Sequence, residues 1–395
     1  MINKLDLLAQ IKSVLVFRGV VNAPVIKALV SFLECEETGA VAVEKYVDFV
    51  SALYEYGTSF TDYLLDAAVT DENAYVKMVA NGKEVPEAIA DCAENELSIL
   101  GELSELDCKT LQALTAYEGK LPAYEITDID FAECYRKRIA DISKNGYGIY
   151  SKYVMFRVVD GAIVPVTSPD HISIMSLYGY EKEREKLIVN TKALLEGKPA
   201  ANTLLYGDAG TGKSSSVKAV TNMLAPEGLR LIELKKNQLW EIPAVLEQLR
   251  DNPLKFIIFI DDLSFNKDDD NFSGLKAILE GSASAKSSNT VIYATSNRRH
   301  LVKENFSDRE GDDVHRNDTM QEMLSLSNRF GLTILFQRPN NDLYQRIVSG
   351  LAEAKGITIP ENELYVKASA FAIRHGGRSP RVAEQFINSL VVENK

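Results

Sequence analysis

One short segment constrains this chain more than any other: the glycine-rich run GDAGTGKS, from Gly207 to Ser214. The apolar run NTLLY before it predicts a β-strand, and SSSVKAVTNML after it has helical periodicity. Glycines at these spacings let backbone N–H groups turn inward around a phosphate, and the helix amino terminus adds partial positive charge. The pattern G-x-x-x-x-G-K-[ST] therefore predicts a strand–loop–helix unit that binds phosphate groups.

The loop predicts both a nucleotide and a metal ion. We expect its backbone to surround the phosphates of ATP, Lys213 to reach the β- and γ-phosphates, and the Ser214 hydroxyl to ligate Mg2+. The candidate nucleotide-binding residues of the loop are Gly207, Asp208, Ala209, Gly210, Thr211, Gly212, Lys213, Ser214 and Ser215.

A second segment, KFIIFIDDLSF, reads as a buried strand that ends in two carboxylates. In a parallel sheet its carboxyl end lies beside the phosphate loop, so Asp261 is a candidate Mg2+ ligand. Asp262 is the candidate catalytic residue that orients or deprotonates the attacking water; alternatively, it only caps the next turn. Aspartate reaches roughly 1.5 Å less far than glutamate, which motivates a slow-hydrolysis hypothesis.

The wider pattern predicts an α/β fold. Five apolar runs alternate with helix-like segments, which indicates a parallel sheet covered on both faces; they are NTLLYG, LRLIEL, FIIFID, TVIYAT and LTILFQ. A hairpin is predicted around Asp160-Gly161, and only helical segments follow Pro339. We predict a mostly helical, acidic domain over 1–150, an α/β nucleotide-binding domain with a leading hairpin over 151–338, and a helical lid over 339–395.

Charge is unevenly placed along the chain. The whole chain has a net charge of −12, and its first 160 residues hold 15 lysines and arginines against 26 aspartates and glutamates. This excess disfavours nonspecific nucleic-acid binding through that half, and it serves either solubility or docking of a basic protein partner. We see neither a membrane-length apolar run nor a signal-peptide pattern, and expect a cytoplasmic protein with four reduced, buried cysteines or, less favoured, a cysteine metal site.

The residues from about 176 to 385 resemble AAA-type P-loop ATPases. More narrowly, they resemble a bacterial family of predicted ATPases known only by a domain-of-unknown-function label. The segments that carry the resemblance are GDAGTGKSS, FIIFIDDLSF, LKAILEG, YATSNRRHLV, LSLSNRFGLTILF and GGRSPRVAEQF. It implies a wedge-shaped α/β domain with a helical lid and nucleotide bound between them. The paired aspartates also resemble the narrower family.

The resemblance implies roles for three further polar residues. Asn297 stands where the AAA fold has a polar sensor of the γ-phosphate, Arg329 where it has an arginine finger, and Arg381 where it has a lid arginine. The alternatives are a loop-capping asparagine, a local ion pair and a helix cap, and Arg378 competes with Arg381. An arginine finger acts on a neighbouring subunit, so we expect a homo-oligomer.

Other assignments are less specific. Tyr178 and Gly179 fall where AAA proteins often contact adenine. Arg298, Arg299 and His300 form a basic cluster that faces phosphate, a neighbouring subunit, another partner or only solvent, and KENFSDREGDDVHRNDTMQEM reads as a polar surface loop. Three functions stay open: an ATPase that remodels or loads a partner, a nucleotide-gated binding module with little hydrolysis, and a nucleic-acid-handling ATPase of the helicase-loader kind.

Overall fold

A computed structural model describes residues 3–263, 274–276, 278–279, 288–297 and 329–393. The chain divides into two compact units, Met1–Lys152 with Asp251–Pro253, and Tyr153–Arg250 with Leu254–Lys395. The three-part division proposed from the sequence stays a prediction. In the described part of the chain, no helix combines the length and the apolar character needed to cross a membrane.

The first unit is helical. Its helices α1–α11 are Lys4–Ser13, Arg18–Val21, Pro24–Glu34, Ala40–Tyr54, Phe60–Thr70, Ala74–Ala80, Glu87–Ser104, Cys108–Ala113, Phe131–Ala140, Ile142–Asn145 and Ile149–Lys152. Several begin at a side chain that accepts a backbone N–H of the first turn, as Ser59, Asn73, Asp107 and Asp130 do. These caps satisfy donors that a helix cannot satisfy internally, which fixes where each helix starts.

Aromatic residues fill the core of this unit. Tyr46, Phe49 and Phe60 are fully buried, and Phe49 meets the rings of Phe60 and Tyr124 edge-to-face. Such arrangements suit the ring quadrupoles and add to the burial energy. Tyr54 lies outside this core: it is 49% exposed, and its hydroxyl donates to the Ala123 carbonyl.

A buried carboxylate also organises the first unit. Glu96, on α7, is 3% exposed and accepts the backbone N–H groups of Leu15 (2.7 Å), Val16 (3.1 Å) and Phe17 (2.9 Å). Three donors at one carboxylate compensate for the cost of removing its charge from water. This side chain therefore fixes the turn between α1 and α2.

The second unit contains an α/β sheet and its covering helices. Its strands β1–β7 are Met155–Val159, Ala162–Pro165, Thr203–Gly207, Leu229–Leu234, Lys255–Ile260, Thr290–Ser296 and Leu332–Phe336. Its α-helices α12–α17 are Glu181–Leu195, Lys213–Leu224, Ile242–Leu249, Asn341–Ala354, Glu361–Arg374 and Pro380–Glu393. Short 3-10 helices cover Ile174–Ser176, Ala225–Glu227 and Lys236–Glu241.

Within the described residues the sheet has seven strands in the order β2-β1-β4-β5-β6-β3-β7. Neighbours pair in parallel except in the β1–β2 hairpin, whose turn residues Asp160 and Gly161 have φ of 50° and 79°. Positive φ at both central residues is the geometry that Asp-Gly turns favour. The predicted hairpin is thus present, and it also joins the parallel sheet through β1 and β4.

The register places the carboxyl ends of four strands together. Gly207 at the end of β3 lies opposite Phe336 of β7, and Tyr206 lies opposite Ser296 of β6. β5 is buried from Phe256 to Ile260, as a central strand covered on both faces should be, and Ile260 lies opposite Ala294. The loops after β3, β5, β6 and β7 therefore leave the sheet at one edge.

The C-terminal helices α15–α17 share a hydrophobic core with the sheet and α12. Tyr344, Ile347 and Phe386 from these helices belong to the same buried cluster as Phe336 of β7 and Leu205 of β3. The predicted α/β fold class is confirmed: the second unit has a mostly parallel sheet with covering helices and helical C-terminal elements, and the segment before it is helical.

Candidate phosphate-binding site

The loop between β3 and α13 has the backbone that its glycines predict. Gly207, Gly210 and Gly212 have φ of 133°, 74° and 89°, a region that side chains with a Cβ rarely adopt. A Cβ on Gly207 would lie 2.1 Å from the Phe336 carbonyl oxygen. Gly212 is the N-cap of α13, so the loop leads directly into a helix amino terminus. This conformation suits an anion.

Lys213 is 7% exposed, and its ammonium lies at the centre of the site. It donates to the carbonyl oxygens of Gly207 (2.9 Å) and Asp208 (2.8 Å) and to Asn297 Oδ1 (3.1 Å). Burial lowers the pKa of Lys213, while the nearby carboxylates of Asp208 and Asp262 oppose that shift. An anion at the loop would favour the charged form further.

Ser214 and Asp261 bring two oxygen ligands together. Ser214 Oγ donates to Asp261 Oδ1 at 2.5 Å, and the Thr295 hydroxyl donates to the same carboxylate oxygen. Mg2+ prefers hard oxygen ligands, commonly one or two carboxylates together with substrate phosphates. A hydroxyl and a carboxylate beside a phosphate loop fit that requirement. Among the described residues, no group of three or more His, Cys, Asp or Glu is arranged to hold a metal.

Asp262 and Asn297 are also in contact. Asn297 Nδ2 donates to Asp262 Oδ1 at 2.9 Å, while Oδ1 of the same amide accepts from Lys213. Asp262 has φ of 51°, and its backbone N–H donates to Thr295 Oγ1 at 2.9 Å. Aspartate tolerates this left-handed conformation better than most residues. The chain thus connects the predicted lysine, the asparagine and the second aspartate through direct hydrogen bonds.

The C-terminal helices reach the loop through the start of α17. The Arg381 backbone N–H donates to the Gly210 carbonyl at 3.3 Å, and a Cβ on Gly210 would lie 3.3 Å from atoms of Ser379 and Arg381. The charge of Arg381 also lowers the pKa of Lys213, whereas Arg378 acts on Tyr344 of α15. Arg381 therefore contacts the phosphate loop through its backbone, and its role at a nucleotide, like that of Arg378, stays a prediction.

Tyr178 and Gly179 lie against α15. A Cβ on Gly350 would lie 2.2 Å from the Tyr178 ring, and one on Gly179 would lie 3.0 Å from side-chain atoms of Ile347 and Leu343. The pair precedes α12 in sequence, and its role at adenine stays a prediction.

Arg329 is not brought to the phosphate loop of its own chain. It precedes β7, and Leu332 at the start of that strand lies opposite Thr203 at the start of β3. The phosphate loop follows the other end of β3, five residues and about 17 Å away along the strand. The role of Arg329 at a γ-phosphate stays a prediction. Arg298, Arg299, His300 and the polar segment 303–323 lie outside the described residues.

Sequence reasoning missed Thr295, which is 2% exposed on β6 and binds both predicted aspartates through its hydroxyl. It also missed Arg338, whose backbone N–H donates to Asp208 Oδ2 at 2.8 Å. The signal for Thr295 was its position two residues before Asn297, which places both on the same side of the strand. Arg338 offered no comparable signal. The four cysteines are free and half-buried, rather than buried as predicted.

Residues 151–394 match the family described as "Protein of unknown function (DUF815)". The chain belongs to this family. The predicted resemblance to a family known only by a domain-of-unknown-function label is therefore confirmed, and the first 150 residues lie outside the matched region. No curated protein matches the chain.

Solved structures with a similar arrangement include the RuvB Holliday junction branch migration motor of Thermotoga maritima, with 16% identity and a TM-score of 0.38. That match covers 55% of this chain and 63% of the motor, less than two thirds of its length. A point-substituted form of the same motor gives 16% identity, the same coverage and a TM-score of 0.37.

Proposed function

We propose that this protein is a Mg2+-dependent ATPase that couples its nucleotide state to the remodelling or loading of a partner. One observation supports this above the others: the hydrogen-bonded set formed by Lys213, Asn297 and Asp262, beside the Ser214–Asp261 pair. Phosphate binding alone needs only the loop and its lysine. A second carboxylate held beside a polar amide is what hydrolysis adds.

The proposed mechanism gives each residue a separate task. Backbone N–H groups of the loop and the Lys213 ammonium hold the β- and γ-phosphates. Ser214 and Asp261 would hold Mg2+, which offsets charge on the phosphates when bound. Asp262 accepts a proton from the attacking water or orients it, and the Asn297 amide positions that water by hydrogen bonding.

In this proposal the C-terminal helices change their arrangement with the nucleotide state of the site. Because Arg381 of α17 bonds to the phosphate loop through its backbone, a nucleotide that alters the loop also acts on the helices. Arg329 lies at the opposite edge of the sheet, which supports a role on the nucleotide of a neighbouring copy in a homo-oligomer. The acidic first unit is the proposed attachment site for a basic protein partner.

A second candidate is a nucleotide-gated module with little hydrolysis. The observation that favours it is the hydrogen bond that the Asn297 amide donates to the short carboxylate of Asp262. If that contact persists with ATP bound, the carboxylate is not free to act on water. ATP would then change the arrangement of the C-terminal helices without turnover.

Phosphate release and nucleotide binding, measured side by side, separate the two candidates. The variants are Lys213→Ala, Asp262→Asn and the matched control Asp160→Asn. Asp160 and Asp262 have φ of 50° and 51°, so asparagine meets the same backbone demand at both positions. The ATPase proposal expects turnover in wild type and in Asp160→Asn, binding without turnover in Asp262→Asn, and loss of both in Lys213→Ala.

Equal turnover in Asp262→Asn and wild type would remove Asp262 from the mechanism. Wild-type protein that binds Mg2+-ATP, but releases no more phosphate than Lys213→Ala over a range of protein concentrations, would favour the gated module. DNA binding that weakens steeply with added salt would instead favour the nucleic-acid-handling function.

A further inference from the structure

A carboxylate inside the phosphate loop needs its own explanation. Asp208 directly follows the first glycine of the loop, where its negative charge opposes the binding of an anion. Its side chain is engaged elsewhere: Asp208 Oδ2 accepts the backbone N–H of Arg338 at 2.8 Å. Its own backbone N–H donates to the Phe336 carbonyl at 3.1 Å. Asp208 therefore forms hydrogen bonds both to Phe336, the last residue of β7, and to Arg338, two residues beyond it.

The segment that Asp208 holds connects the sheet to the C-terminal helices. β7 ends at Phe336, and α15 begins after its N-cap Asn340, so Arg338 lies in a connection of four residues. The Arg338 guanidinium also reaches the turn before α17, since a Cβ on Gly377 would lie 2.9 Å from its Nη1. One residue thus touches the phosphate loop through its backbone and the α16–α17 turn through its side chain.

The main chain of Asp208 faces the phosphate side of the same loop. Its carbonyl oxygen accepts from Lys213 Nζ and from the Thr211 hydroxyl, both at 2.8 Å. When Lys213 turns toward a bound phosphate, Asp208 loses or alters its contact with the lysine. Because its side chain holds Arg338, that change is passed to the connection before α15.

We propose that Asp208 is a positioning residue that couples nucleotide occupancy of the phosphate loop to the C-terminal helices through the Arg338 backbone. This inference rests on the proposed nucleotide site and adds a regulatory contact to it. The contact between Asp208 and Arg338 then controls how long nucleotide stays bound. An intact contact holds the helices over the site, and its loss lets them separate from the loop and release nucleotide faster.

Two substitutions separate the charge of Asp208 from its hydrogen bond. Asp208→Asn removes the charge but keeps an oxygen that can accept the Arg338 N–H, whereas Asp208→Ala removes both. The control Asp342→Ala removes an exposed carboxylate from the first turn of α15 and leaves the Asp208 contact in place. Thermal unfolding of all four proteins reports any general loss of structure.

The first readout is the dissociation rate of fluorescently labelled ADP with Mg2+, chased by excess unlabelled ADP. We expect Asp208→Ala to release ADP about tenfold faster than Asp208→Asn, the value of one hydrogen bond to a charged or polar partner. Asp342→Ala should stay within about threefold of wild type, since it removes no acceptor from Arg338.

The second readout is hydrogen exchange of residues 337–343 with and without ADP, which a merely structural role would not move. Nucleotide should protect these amides in wild type and Asp208→Asn but not in Asp208→Ala. Equal ADP release from the alanine and asparagine variants, or equal protection in both, would overturn the inference while leaving the nucleotide site intact. Wild-type protein that binds no ADP would overturn the proposed function and this inference with it.

Discussion

Thr295 offers a sharp test of how the site is built, because its hydroxyl serves both aspartates. It donates to the Asp261 carboxylate and accepts the backbone N–H of Asp262. The side chain is 2% exposed, and valine has nearly the same shape. Thr295→Val therefore removes two hydrogen bonds without opening a cavity.

The magnitude follows from those two bonds. A hydrogen bond to a charged group contributes about 1.5–3 kcal/mol, and about 1.4 kcal/mol corresponds to a tenfold change in rate. Partners that orient a metal ligand typically change activity by about 10–100-fold when they are removed. We expect turnover at saturating Mg2+-ATP to fall by about 10–100-fold in Thr295→Val. Nucleotide affinity without Mg2+ should change by less than about threefold, because the loop and Lys213 are untouched.

The assay is steady-state phosphate release, with nucleotide binding in EDTA measured in parallel. Thr191→Val is the matched control, because Thr191 is also fully buried and its hydroxyl also makes two hydrogen bonds, to the Leu187 carbonyl and the Tyr293 hydroxyl. Turnover of Thr295→Val within about twofold of wild type would refute the assigned role. An equal loss in both variants would show that the effect comes from general destabilisation.

Further predictions concern stability, the loop and pH. Glu96→Ala should lower the free energy of unfolding of the first unit, measured by chemical denaturation, by about 3–5 kcal/mol, because three backbone donors lose one buried acceptor. The control Glu94→Ala removes only an exposed ion pair and should lower it by less than about 1 kcal/mol. Gly207→Ala should abolish nucleotide binding, since its Cβ would lie 2.1 Å from a facing carbonyl oxygen; Gly161→Ala, with left-handed φ but open space, should bind normally in a fluorescence titration. Burial lowers the pKa of Lys213 below its ordinary value of 10.5. Because nucleotide binding needs the charged lysine, nucleotide affinity should fall as pH rises through that lowered pKa. Calorimetry in buffers of different ionisation enthalpy should detect proton uptake on binding in this pH range.

The strands were predictable because each is a short, almost wholly apolar run. β5 is the clearest case: its residues from Phe256 to Ile260 are all buried, so apolar character alone marks it as central. The pairing of β1 with β4 was not predictable, since Met155 and Leu231 are far apart in the chain and only the folded register brings them together. The hairpin turn itself was predictable from Asp160-Gly161.

The candidate site also has one part that was predictable from the sequence and one part that was not. The phosphate loop follows from local spacing, because each glycine meets a local backbone demand. The contacts between Arg338 and Asp208, and between Arg381 and Gly210, join segments that are distant in sequence, and nothing local marks them. Glu96 shows the same limit in the first unit: a glutamate in a helical pattern normally reads as exposed, and only tertiary structure shows it buried.

The most direct test of the central claim is a single-turnover experiment with protein in excess over Mg2+-ATP, at several protein concentrations. Excess protein removes product release from the measured rate, and the concentration series detects activation by a neighbouring copy. We expect phosphate formation that rises with protein concentration in wild type and in Asp160→Asn, and none in Asp262→Asn although ATP is bound. Bound ATP that remains intact in wild type at every concentration would contradict it.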